Sequence, residues 1–118
     1  MTEIFVPVCY CDALISIKEA LTDVSELFWE VRVFGSCARS SVMAMSDIDI
    51  LVITKEKISD RVIREKIHEL ITNAVESYGV ETDVVFYSLD SYLSDTSEFT
   101  ERIRKESKGL IRGKYYGL

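Results

Sequence analysis

Two carboxylates, Asp47 and Asp49, stand at i and i+2 where a hydrophobic run opens, Ser46-Asp47-Ile48-Asp49-Ile50-Leu51-Val52-Ile53. Alternate residues of a strand face the same side, so the two acids point together while Ile48 and Ile50 point the other way. Anions held side by side repel unless a cation sits between them. Oxygen-only ligands suit a hard cation such as Mg²⁺. A second apolar run, Leu27 to Phe34, ends a dozen residues earlier at Gly35-Ser36. Glycine lets a backbone approach a phosphate closely, and serine adds a hydroxyl and an N–H at what reads as a helix start. Arg39, next along, has the forked guanidinium that suits phosphate oxygens. Together these residues read as a site for a metal–nucleotide complex.

The pattern Gly35-Ser36-x-Ala38-Arg39 followed by Ser46-Asp47-x-Asp49 resembles the signature of the DNA polymerase beta-type nucleotidyltransferase superfamily. At this length the chain is most similar to the minimal nucleotidyltransferases, the MNT proteins often paired with HEPN proteins. The resemblance spans roughly residues 30–88. It implies a small α/β (α+β) domain with a mixed sheet and helices, and a third carboxylate on a later strand, for which Asp83 in Thr82-Asp83-Val84-Val85-Phe86-Tyr87 is the candidate. Glu81, two residues earlier, is the competing candidate. The resemblance further implies a two-ion Mg²⁺ site on Asp47, Asp49 and Asp83, and nucleotide contacts from Gly35, Ser36, Arg39 and Ser46. Its expected chemistry is transfer of AMP from ATP, or NMP from another NTP. The expected acceptor is a hydroxyl, a tyrosine on a HEPN-type toxin, with this chain as antitoxin. Ser40 departs from the family, which commonly has glycine after the arginine. The loop Val42-Met43-Ala44-Met45 departs too, being apolar where relatives carry polar residues. It packs on the first helix or contacts a partner; the sequence leaves both open. Two other functions stay open with it, a non-catalytic binding antitoxin on the same scaffold and an aminoglycoside-type transferase acting on a small molecule.

These residues need elements to position them. Leu14, Ile17, Leu21 and Val24 recur at helical spacing and predict a first helix from about Asp12. Leu27 to Phe34 predicts a strand with Trp29, Val31 and Val33 on one face and Glu30 and Arg32 on the other. Trp29 reads as core rather than as a base-stacking ring. The Asp47–Ile53 strand, apolar on both faces beyond Asp49, reads as central and covered. Ser59 or Asp60 should cap a long helix reaching Tyr78, with Gly79 as its stop and Ile63, Ile67, Leu70, Ile71, Ala74 and Tyr78 as its inner stripe. His68 flanks that stripe and takes no chemistry. A strand follows at Thr82–Ser88. Asp95, paired with Glu98, should open a further helix with Phe99 and Ile103 on its apolar side. The basic, aromatic end from Lys105 to Leu118 reads as a tail or as a cover for the sheet edge, with contact to nucleic acid or a partner as the rarer use.

The 118 residues fit one domain, 1–118, with 47% hydrophobic and 29% charged residues, ordinary for a globular chain. A net charge of −6 argues against coating nucleic acid. Apolar runs are strand-sized, short of the about 18 residues a membrane span needs, and no leader pattern stands out. Cys9, Cys11 and Cys37 are odd in number and poorly spaced for zinc. They read as reduced thiols of a cytoplasmic protein. Association with a second copy is also compatible with the sequence.

Overall fold

A strand that is apolar on both faces needs a packed layer on each side. The computed structural model of the chain, which describes residues 8–35, 47–55 and 61–113, supplies both. In chain order, α1 is Val8–Thr22, β1 Glu30–Phe34, β2 Ile48–Thr54, α2 Arg61–Val75, β3 Thr82–Ser88, α3 Leu89–Ser94, α4 Glu98–Glu106 and β4 Lys108–Arg112. The sheet runs β3-β2-β1-β4. Strands β2 and β3 are parallel, joined through α2, and the other pairs are antiparallel. The sheet is therefore mixed, as expected.

Strand β2 is central and buried from Ile50 to Thr54. Its alternation sorts the core into two layers. Ile48, Ile50 and Val52 join Val31 and Val33 against Ala13, Ile17 and Leu21 of α1 and Ile67, Ile71 and Val75 of α2. Leu51 and Ile53 point the other way, towards Tyr92 of α3 and Ile103 of α4, with Phe34, Val85 and Tyr87 around them. Asp49 and Asp83 alternate onto this second face. The two larger helices are tied together by the Ser16 hydroxyl, which donates to the Ala74 carbonyl at 2.7 Å.

Several boundaries differ from the sequence reading, each for a local reason. Helix α1 already runs at Val8. Residues 25–27 form a 3₁₀ turn and β1 starts only at Glu30. A bend at Trp29 breaks the expected alternation: Trp29 packs with Leu51 and Ile53, whereas Val31 and Val33 face the opposite layer. The Arg112 guanidinium lies 5.9 Å from the Trp29 ring centre. Helix α2 ends at Val75, and a 3₁₀ turn carries the chain to Gly79, whose φ of +65° favours glycine. The turn rotates Tyr78 out of the inner stripe, to 38% exposure. Ser59 and Asp60, the expected caps, lie outside the described residues, as do Cys37, Ser40, the Val42–Met45 loop and the tail from Lys114.

The end that read as a tail or as a cover for the sheet edge supplies an edge strand, β4. It closes the sheet beside β1 through a polar clamp. Arg32 donates to both Glu30 carboxylate oxygens at 3.0 and 3.1 Å, to the Ser107 hydroxyl at 2.7 Å and to the Ser107 carbonyl at 2.9 Å. A Cβ on Gly109 would stand 3.1 Å from Glu30 Oε2, so glycine lets β4 lie close over this pair. Removing Arg32 would leave Glu30, only 8% exposed, as a buried unpaired charge. Arg32→Ala is expected to cost about 3 kcal/mol in urea unfolding. Glu30→Gln in the same background should recover much of it, and failure to recover would mean that packing, not charge, dominates.

Helix α4 is capped two residues later than expected. Ser97, not Asp95, is its N-cap, accepting from the Thr100 N–H at 3.3 Å. Asp95 instead accepts from the Ser97 N–H at 2.9 Å and the Thr100 hydroxyl at 2.8 Å. Thr100 has one hydroxyl proton, and Asp95 takes it. The Tyr87 hydroxyl, 2.8 Å away, therefore donates to Thr100, which ties α4 to β3. Arg104 donates to the carbonyls of Tyr92 and Asp95 at 2.7 and 2.8 Å, closing the C-terminus of α3, a helix the sequence did not suggest.

The Ser97 N–H, then the Thr100 hydroxyl, hold the Asp95 carboxyl below the ordinary 3.8. A depressed folded-state pKa gives stability that is complete above the unfolded value and is lost as pH falls through the folded one. The stability gap between wild type and Asp95→Ala should be widest near pH 7 and close below about pH 4. A gap that stays constant down to pH 2.5 in denaturant titrations would show that Asp95 acts through its shape alone.

Candidate active site

Register alone assembles the acids. Asp49 is the cross-strand partner of Phe34 in β1 and the neighbour of Asp83 in β3. Adjacent strands lie about 4.8 Å apart, so two carboxylates meet on one face at the same end of the parallel pair. Asp49 is half-buried and Asp83 exposed. Asp47 is exposed and sits just ahead of β2, where the Ile48 N–H donates to the Glu81 carbonyl at 2.9 Å. That bond places the entrance of β2 beside that of β3. Glu81 itself falls one residue before β3.

Gly35 follows β1 directly and has a φ of +71°. A Cβ built on it would collide with Oδ2 of Asp49 and lie 3.0 Å from its Cγ. The backbone thus rests against the Asp49 carboxylate, and no side chain separates the glycine turn from the acid. The sequence placed these two groups twelve residues or more apart; the antiparallel β1–β2 pair brings them into contact. Of the remaining sequence-predicted residues, Ser36, Arg39 and Ser46 lie outside the described residues. His68 is exposed on α2, on the far side of the sheet from Asp49.

The donors Asp47, Asp49 and Asp83 are all oxygens, the chemistry a hard divalent cation requires. The place a Cβ would take at Gly35 is filled by the Asp49 carboxylate itself. Among the described residues, no group of three or more His, Cys, Asp or Glu side chains is already drawn together as a metal cage. Nor is any helix among them long and apolar enough to cross a membrane.

Sequence reasoning missed part of this neighbourhood. A cleft of about 130 Å³ opens beside Gly35, between Phe34 of β1 and Phe99, Arg102, Ile103 and Glu106 of α4. Phe99 read as one more apolar position of an amphipathic helix. The aromatic directly ahead of the glycine, Phe34, was the signal available.

A family model described as nucleotidyltransferase domain matches residues 17–110. Among curated proteins there is no match. Among solved structures, a toxin–antitoxin complex with AMP-PNP is similar over 86% of this chain and 75% of that chain, at 20% identity and a TM-score of 0.61. A MntA-HpeT toxin–antitoxin mutant is similar over 86% and 75%, at 18% identity and a TM-score of 0.60. A tri-AMPylated Shewanella oneidensis HEPN toxin in complex with MNT antitoxin is similar over 85% and 70%, at 20% identity and a TM-score of 0.53. Identities this low speak for the fold: the four-stranded mixed sheet and its helices are shared with these proteins.

Proposed function

The chain belongs to the nucleotidyltransferase domain family, and from that premise we propose that it moves AMP from ATP onto a hydroxyl of a HEPN-type protein partner, a tyrosine by preference, as the antitoxin of a toxin–antitoxin pair. One observation carries the reading: the Gly35 turn rests directly on the Asp49 carboxylate, with Asp83 as its neighbour on β3. A phosphate held by the turn would lie against the acids. The tri-AMPylated toxin in one structural relative supports AMP as the group moved and a protein as its acceptor.

In this proposal the backbone at Gly35 and Ser36 holds the outer phosphates, and Arg39 and Ser46 add contacts to their oxygens. Asp47, Asp49 and Asp83 would hold Mg²⁺ as a two-ion site, which when bound neutralises the triphosphate and makes the acceptor hydroxyl more acidic. Asp83, the more exposed of the two strand-borne acids, faces the acceptor and takes its proton. The acceptor oxygen bonds to the α-phosphorus, and the bond to the α,β-bridging oxygen breaks. Its electron pair leaves with pyrophosphate, whose charge the glycine–serine turn stabilises. Most of the rate enhancement then comes from positioning and charge complementarity.

The test is intact-mass spectrometry of the chain co-expressed with its HEPN-type partner, after adding ATP and Mg²⁺. A gain of whole AMP units on the partner, absent with Asp47→Asn/Asp49→Asn, is the expected result. An unmodified partner that both versions bind and inhibit equally would overturn catalysis and leave a binding antitoxin.

A further inference from the structure

We propose that the cleft between Phe34 and Phe99 seats the base of the nucleoside triphosphate, with Phe99 as its stacking platform. The inference rests on the nucleotidyl-transfer reading and adds to it the residues that hold the nucleoside.

Position comes first. Gly35 lines the cleft and also touches Asp49, so the cleft and the carboxylate share a wall. Phe34, which also lines the cleft, is the register partner of Asp49. A nucleotide with its phosphates at Gly35 and Asp49 therefore has its nucleoside end within reach of this opening.

Size and surface agree. Pockets that enclose a whole small molecule measure about 300–1,000 Å³. A cleft of about 130 Å³ takes one flat ring of a ligand whose remainder lies outside. Phe99 is 51% exposed, although Ile103, one turn along the same helix, is buried. The Phe99 ring meets Phe34 edge-on, with centroids 6.3 Å apart and planes at 88°. Edge-to-face packing fixes the orientation of Phe99, and at 51% exposure the ring keeps surface open to a ligand. Every base has a π-face, so an aromatic platform of this kind gives affinity with little dependence on sequence or base. Arg102, three residues further along α4, lines the same opening and can reach the ribose or a phosphate.

The position of the platform is also fixed. Helix α4 is held to β3 by the Tyr87–Thr100 bond, with Thr100 next in sequence to Phe99. The element carrying Phe99 is thus tied to the strand carrying Asp83.

Binding of ATP and of inorganic tripolyphosphate, each with Mg²⁺, to wild type, Phe99→Ala, Phe99→Leu and Phe99→Trp decides the matter by calorimetry. Phe99→Ala and Phe99→Leu are expected to bind ATP about 5- to 100-fold more weakly. Tripolyphosphate, which has no base, should bind all four proteins alike, and Phe99→Trp should keep ATP affinity. ATP affinity unchanged in Phe99→Ala and Phe99→Leu would overturn the base site and leave the transfer reading intact. Equal weakening for ATP and tripolyphosphate would overturn it too, because the effect would then be on the phosphate site. Wild type that binds neither probe would overturn the transfer reading itself. Phe99→Leu keeps the apolar bulk of the helix face, so the comparison stands even if Phe99→Ala folds poorly.

Discussion

Asp49→Asn is expected to lower AMP transfer by at least about 10²-fold while leaving the protein folded. Asparagine has the size and shape of aspartate, so contact with Gly35 and the β1–β2 register survive the change. The negative charge does not. Asp49 is the half-buried acid of the set, seated between the glycine turn and Asp83. Its charge is therefore less screened by solvent than that of exposed Asp47, and its loss is felt more in the transition state. Stability should change little, or rise slightly, because a like charge beside Asp83 has been removed. The measurement pairs initial rates of AMP transfer with thermal unfolding of the same preparation. Retention of transfer within threefold would take Asp49 out of the chemistry. A comparable loss of rate accompanied by unfolding would make it a structural residue.

The elements that proved legible in the sequence are those whose pattern is decided locally. Strand β3 falls at Thr82–Ser88 as read, because β-branched and aromatic residues alternate there between two hydrophobic layers. The central place of β2 followed from Leu51, Val52 and Ile53 being apolar on both faces. The Gly79 stop followed from the left-handed conformation that helix ends require. What could not be read was decided by distant partners. Lys108–Arg112 contains a glycine and two cations, a poor strand by propensity. It pairs with β1 because Arg32 reaches Ser107 and because Gly109 permits close approach to Glu30. The charged ends of β4 also suit an edge strand, which must resist pairing with other chains. The six residues of α3 carry too little signal to announce a helix. A Ser88 cap and the bonds from Arg104 hold it. Asp95 read as the cap of α4, and the fold gives that place to Ser97, two positions on. At the site, the type and spacing of Gly35, Asp47 and Asp49 were readable, whereas the contact between glycine and carboxylate depends on the β1–β2 pairing. Phe99 was hidden because an aromatic on an amphipathic helix reads as core, and only the position of α4 beside Gly35 sets it apart.

That contact makes a second strong prediction. Gly35→Ala is expected to abolish transfer and to cost about 3 kcal/mol of stability. Two effects add. A φ of +71° puts an alanine in the left-handed region, a penalty of about 1–2 kcal/mol. The new methyl also lands on Oδ2 of Asp49, which must swing away from its place beside Asp83. The two contributions can be separated, because only the second depends on the Asp49 side chain. In Asp49→Ala, Cγ and both oxygens are gone, and the nearest atom that remains of that side chain is Cβ, at an ordinary 3.4 Å. Gly35→Ala should then cost only the backbone penalty of about 1–2 kcal/mol. The difference between the two backgrounds is the coupling energy, well above the few tenths seen for independent sites. A double-mutant cycle by urea unfolding measures it directly. Additive costs would mean that glycine is needed at position 35 for its backbone alone. Coupling of the expected size would show that the turn and the carboxylate are fitted to each other. The absence of a side chain at position 35 would then be as much a part of the site as the acid at position 49.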